Sequence, residues 1–173
     1  MKPATLAKIF SGAITNWSDA DITADNGSAV ASKPIIVVYR SDSSGTSEGF
    51  TKFLNAAAPT IWTKAGSSTF TSSAPSGAPG GSQGKSGSDG VTNYVASTDG
   101  SITYVELSYA KEAAADGVKS ISVYNGKGEY VAPSSVSAAA AVATIPDANI
   151  NKTTGFITPD WTSTSAEIGR AHV

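Results

Sequence analysis

Five consecutive apolar residues, Ile35-Ile36-Val37-Val38-Tyr39, run directly into Arg40 and a string of small polar residues. The run is too short for a helix and rich in β-branched side chains that fit a buried pleated surface, so it predicts a strand. Ser41-Asp42-Ser43-Ser44-Gly45-Thr46 then reads as a loop. Phe50, Phe53 and Leu54 recur at helical spacing beyond it, until Pro59 stops the helix. Strand, small-residue loop and helix in that order leave free backbone N–H groups at the positive end of a helix dipole, a ready anion site. Gly45 lets the backbone approach a ligand, and Ser44 and Thr46 add hydroxyls. Arg40 can present a bidentate fork to phosphate-like oxygens, and Asp42 can hold that guanidinium in place. The same pattern also describes an ordinary N-capped helix, so the residues alone leave both readings open.

The 173 residues suffice for one domain with a core, or a domain plus a piece of another. A net charge of −2 offers no basic surface for nucleic acid, and the apolar stretches are too short to span a membrane. The absence of cysteine excludes disulfides and thiolate metal sites, and no metal or cofactor is expected. No apolar segment follows Met1-Lys2-Pro3, so no export signal is visible.

Leu6, Ile9 and Phe10 share one helical face, with Pro3 in the first turn and Gly12 at the end. Trp17 reads as a packing residue, and the chain from Ser18 through Asn26-Gly27 reads as a polar connection to the strand. Ser67 to Gly90 is dominated by Ser, Gly and Pro and is expected to order only loosely. Gly84-Lys85-Ser86 within it suggests a nucleotide P-loop. The required first glycine is Pro79, however, and neither a strand before nor a helix directly after is evident. A short helix is expected around Val91, Tyr94 and Val95, a strand over Ser101–Val105, and a helix over Leu107–Ala115. Lys119–Tyr124 and Glu129–Val131 then form a hairpin on an Asn125-Gly126 two-residue turn. Ser134 or Ser135 caps an alanine-rich helix reaching about Ala143. Triplets beginning at Asn16, Asn26 and Asn151 fit a glycosylation pattern, and a Ser/Thr-rich chain produces them by composition.

Arg40-Ser41-Asp42-Ser43-Ser44-Gly45-Thr46 resembles the RxDxSGT segment of the phosphate-binding proteins that feed ABC phosphate importers, the PstS family. Two further phrases resemble the same family: the KIFxGxIxxW-like opening ending at Trp17, and Gly87–Val91 followed by Gly100–Ala110. The resemblance implies an α/β fold, the second lobe of a two-lobed periplasmic-binding-protein-like (type II) architecture with the first lobe largely missing. It places that lobe at residues 1–133 and the start of a return segment to the first lobe at 134–166. It implies that Arg40, Ser44, Gly45 and Thr46 bind phosphate, with Asp42 supporting Arg40, and that the chain carries half the site. The implied partners are inorganic phosphate and ABC permease subunits, with no nucleic acid. The implied protein is a monomer held outside the cytoplasmic membrane, its export signal or lipid anchor lying outside this piece. Glu106, at a helix start, is expected to cap or position that helix rather than touch ligand.

Two other functions compete. A binding protein for sulfate, molybdate or another oxyanion would keep the fold. A serine hydrolase would use Gly45-Thr46-Ser47-Glu48-Gly49, which fits the G-x-S-x-G elbow. The elbow needs a histidine, and the chain holds only His172. His172 lies in Glu167–Val173, a run that departs from the family pattern and matches a reading frame of sequencing-adapter DNA, so a non-native tail is expected there. The binding reading, without catalysis, is the stronger.

Overall fold

The computed structural model describes residues 1–143 together with 145, 147–149 and 153. Its centre is β1 (Ile36–Arg40), flanked on one side by β2 (Gln83–Lys85) and on the other by β3 (Ser101–Ile102), both parallel to it. Side chains of a strand alternate faces, and β1 divides accordingly. Val37 and Tyr39 turn to the main core, while Ile36 and Val38 turn to a smaller cluster with Val91 and Val105. A short parallel sheet covered on both faces explains why β1 reads as an unbroken apolar run.

On the first face lie α1 (Pro3–Phe10) and α3 (Gly45–Ala57), with Leu6, Ile9, Phe10, Phe50 and Leu54 all buried. On the second lie α5 (Gly87–Ser97) and α6 (Leu107–Ala113), the latter continued by a 3-10 turn over Ala114–Asp116. Aromatic rings fill the main core. Phe50 stacks on Tyr104 with centroids 4.6 Å apart, and Phe10 meets Phe50 edge-on at 4.7 Å.

Three expectations need correction. The connection after Trp17 contains a helix, α2 (Ala20–Asn26), in which Asp19 accepts the Asp21 N–H and Gly27 closes the end in the left-handed region. Ile22 is the one buried residue of α2, so no apolar periodicity betrays it. The Ser/Gly/Pro-rich segment is ordered and carries α4 (Phe70–Ser73), β2 and the start of α5. Phe70 is fully buried and stacks on Tyr39 at 4.9 Å, and Ser73 accepts the Trp62 indole N–H at 2.9 Å. One aromatic anchor and a buried hydrogen bond thus do what composition alone does not reveal. The Asn125-Gly126 signal marks a real hairpin, β4 (Val123–Tyr124) with β5 (Tyr130–Val131), but its loop is five residues long. Asn125 Oδ1 accepts from the Lys127 and Glu129 N–H groups, and the left-handed residue is Gly128.

Gly100 is required where β3 begins. Its φ is +80°, and a Cβ there would stand 2.7 Å from the Pro34 carbonyl oxygen. Trp17 is a packing residue, its indole N–H donating to the Gly100 carbonyl at 2.9 Å. The alanine-rich helix, α7, spans Ser135–Ala143 behind the Ser134 hydroxyl, which accepts the Ser137 N–H. Most of the return segment, Asn151 and the whole 167–173 tail with His172 lie outside the described residues. No described helix is long and apolar enough to cross a membrane.

Candidate anion site

Because the three strands are parallel, their carboxyl ends open on one edge, where open α/β sheets place ligands. Three chain segments converge there. β1 delivers Arg40 and the loop to α3; β2 delivers Ser86 and α5; the chain beyond β3 delivers Tyr104 and Glu106. The register pairs Arg40 with Lys85, so the loops after β1 and β2 start side by side.

Arg40 follows Val38 on the strand face that looks toward α5, and its side chain, 12% exposed, reaches across to that helix. Nε donates to Asp42 Oδ1 at 2.8 Å and Nη2 to Asp42 Oδ2 at 2.6 Å. Nη1 donates to Ser88 Oγ at 3.0 Å. A guanidinium has five N–H donors, so one remains on each of Nη1 and Nη2 for an anion. Asp42 Oδ1 also accepts the N–H of Gly87, the first residue of α5, whose φ lies in the left-handed region. Hydrogen bonding to Arg40, reinforced by that N–H, holds the Asp42 carboxyl well below the usual carboxylate range. Hydrogen bonding to Asp42 raises Arg40 in turn, against the effect of its burial.

α3 begins at Gly45, so the loop is four residues, shorter at its far end than expected, with Ser44 as N-cap. Ser44 Oγ accepts the Ser47 N–H at 3.3 Å. The N–H groups of Gly45 and Thr46 have no partner four residues back, and a Cβ at Gly45 would meet nothing within 4 Å, so that backbone is open to approach. Arg40, Asp42, Ser44, Gly45 and Thr46 are therefore brought to one place. Glu106 stands at the N-cap of α6 but makes no cap bond. Its carboxylate instead accepts from Ser88 Oγ at 2.7 Å and from Thr46 Oγ1.

Gly87, Ser88 and Tyr104 are participants that the sequence reading did not single out. Gly87 and Ser88 arrive through β2, since a helix that follows a parallel neighbour of β1 starts beside Arg40, but no apolar or β-branched run marks that strand. The strand and helix around Gly84-Lys85-Ser86 do exist, contrary to expectation. Even so, Pro79 still stands where a P-loop has glycine, and the Lys85 ammonium lies over the Tyr94 ring at 4.6 Å. Ser47 does not suit an elbow. It is fully buried, with its hydroxyl 2.7 Å from Tyr104 Oη, which also accepts the Arg40 N–H at 3.3 Å.

A broad depression among the described residues lies elsewhere. It is lined by Trp17, Val95, Ala110, Val118 and Ile121 and includes none of Arg40, Asp42 or Ser44–Thr46. Charged donors and an open helix N-terminus, not volume, mark the candidate anion site. Among the described residues no three His, Cys, Asp or Glu side chains gather as a metal site.

Residues 1–165 match the family described as PBP superfamily domain. The phosphate-binding protein PstS2 of Mycobacterium bovis is 45% identical over 107 residues, covering 61% of this chain and 27% of that protein. Alkaline phosphatase L of Pseudomonas aeruginosa is 37% identical over 145 residues, covering 82% of this chain and 36% of that protein. Among solved structures, a human phosphate binding apolipoprotein superposes with a TM-score of 0.69 at 32% identity, covering 96% of this chain and 50% of its own. The chain thus spans between 27% and 50% of the length of these relatives.

Proposed function

The chain belongs to the PBP superfamily, and from that premise we propose that it supplies one lobe of an extracytoplasmic protein that binds inorganic phosphate and delivers it to an ABC importer. Residues 1–133 form that lobe, and the chain from 134 onward starts back toward the other. Arg40, Ser44, Gly45 and Thr46 contact the anion, with Asp42 holding the guanidinium. The observation that carries this reading is the Arg40–Asp42 fork set against the open N-terminus of α3, with two guanidinium donors still unspent. The names of the phosphate-binding relatives support the choice of anion.

The arrangement suits binding rather than catalysis. Ser47, the one candidate nucleophile, is buried against Tyr104. Phosphate lies in a cleft between lobes, and closure removes it from water and strengthens each charged hydrogen bond. The permease is the partner, and the binding protein is a monomer.

Calorimetry on the complete two-lobed protein tests the assignment through Arg40→Ala. Losing a buried charged partner costs about 2–5 kcal/mol, roughly 30-fold to several thousand-fold in affinity. Unchanged affinity would remove Arg40 from the site.

A further inference from the structure

Thr46 stands on the first turn of α3 with its one hydroxyl hydrogen already given to a carboxylate of the same chain. Its Oγ1 donates to Glu106 Oε1, and Ser88 Oγ donates to Glu106 Oε2 at 2.7 Å, because an ionised carboxylate only accepts. Burial pushes the Glu106 carboxyl up, but hydrogen bonds from Ser88 and Thr46 outweigh it and bring the group below its ordinary value, so it is ionised at neutral pH. Ser88 Oγ also receives Arg40 Nη1 at 3.0 Å, so one hydroxyl separates this carboxylate from the guanidinium. Glu106 thus sets two oxygens and a negative charge among the kinds of donor that an oxyanion would seek.

We propose that Glu106 is an internal competitor of the anion: phosphate binds by taking the Thr46 hydroxyl away from the Glu106 carboxylate, and this contest lowers the affinity of the site. The inference rests on the phosphate reading of Arg40 and Ser44–Thr46. The unprotonated oxygens of phosphate only accept, so they and Glu106 need the same hydrogen, and one hydroxyl cannot serve both. Like charge adds to the contest, since both anions lie in the field of one guanidinium that Asp42 already matches. The displaced carboxylate has another place to go. Glu106 is half-buried and is the N-cap residue of α6, yet its side chain makes no cap bond there. The first-turn N–H groups of a helix are the usual partners of an N-cap side chain. The consequence is a looser hold on phosphate and an easier release, with the full set of donors kept.

The test titrates the 173-residue chain with inorganic phosphate, following by NMR the Ser44, Gly45 and Thr46 amides and the Glu106 side-chain carboxyl carbon. Glu106→Ala is expected to bind phosphate about threefold or more tightly than the unsubstituted chain, within the net range of one hydrogen bond. A residue that only supports the fold would weaken binding when removed. In a Thr46→Val background there is no hydroxyl to release, so most of that gain is expected to vanish. An equal gain in both backgrounds would reduce Glu106 to a repelling charge and overturn the proposal. Affinity unchanged or weakened by Glu106→Ala alone overturns it as well, and either result leaves the phosphate reading standing. Where a variant fails to fold, the carboxyl carbon of the unsubstituted chain decides. It is expected to shift in step with the Thr46 amide as phosphate is added, and a signal that stays fixed overturns the proposal. Absence of any phosphate shift at Ser44, Gly45 and Thr46 overturns the phosphate reading itself and this inference with it.

Discussion

Arg40 and Asp42 stand two residues apart and meet fork to fork, Nε to Oδ1 at 2.8 Å and Nη2 to Oδ2 at 2.6 Å. The carboxylate also holds the Gly87 N–H at 3.0 Å, so it ties the end of β1 to the start of α5. This leaves the guanidinium oriented before any anion arrives, which lowers the ordering cost of binding.

Arg40→Lys is therefore expected to recover only part of the affinity lost in Arg40→Ala, because an ammonium cannot present two donors in a plane. Asp42→Asn keeps the shape but halves the fork's acceptors and is expected to weaken phosphate less than Arg40→Ala does. Calorimetry on the two-lobed protein orders the three variants. Asp42→Asn falling below Arg40→Ala would contradict the supporting role.

Phe70→Ala tests whether the Ser/Gly/Pro-rich segment is anchored. Phe70 is fully buried among Phe10, Tyr39, Trp62 and Tyr104. Removing such a ring is expected to cost about 3–5 kcal/mol, read as a drop in urea midpoint at constant slope. A loss below about 1 kcal/mol, as for a surface position, would mean that the segment contributes little to the fold.

Tyr104→Phe leaves Ser47 Oγ and the Arg40 N–H without their shared partner. Stranding a buried polar group costs about 1–3 kcal/mol, and denaturant unfolding should read that loss. Ser47→Ala removes the other side of the contact and is expected to leave phosphate binding within about tenfold, since Ser47 lies beyond the open N–H groups of α3. A Ser47-specific adduct with an activated ester would revive the hydrolase reading.

Acid is expected to destabilise the fold. Asp42 and Glu106 both have folded-state carboxyl groups lowered from their ordinary values. The unfolded chain therefore binds more protons in that window, and stability rises with pH through it. Their contribution is complete above the unfolded carboxylate range, about pH 4–5, and is lost as pH falls below it. Asp42 is about a third exposed, which screens its share. Thermal unfolding from pH 7 down to pH 3 reads the decline, and Glu106→Gln is expected to flatten it. A chain that gained stability on acidification would contradict these hydrogen-bond assignments.

β1, α1 and α3 are legible in the sequence because each has a clean period and an end signal: Pro3 and Gly12 for α1, Pro59 beyond α3. The Arg40–Asp42 pair is legible as opposite charges two residues apart where β1 ends and the loop begins. β2 is not legible, since Gln83-Gly84-Lys85 has no β-branched residue and is held by its register with Val38–Arg40. With β2 hidden, the arrival of Gly87 and Ser88 beside Arg40 is hidden too. Glu106 is visible as a lone acid at a helix start, but its two hydroxyl partners lie 18 and 60 residues away. No local pattern encodes such contacts.

The most direct measurement is a phosphate titration of the chain by itself, following amide signals throughout. On the proposed reading, Arg40 and the Ser44–Thr46 amides are one lobe's share of the ligands, and an open half-site stays wet, so its ion pairs are worth nearer 0–1 kcal/mol each. Against an association cost of about 4 kcal/mol or more, the account predicts binding near millimolar, about −4 kcal/mol. Shifts should concentrate at Ser44, Gly45, Thr46, Gly87 and Ser88, and salt should weaken them. Micromolar affinity would contradict the half-site account, because the site would then be complete within these residues. Shifts confined to residues away from Arg40, or none at tens of millimolar phosphate, would contradict the site itself.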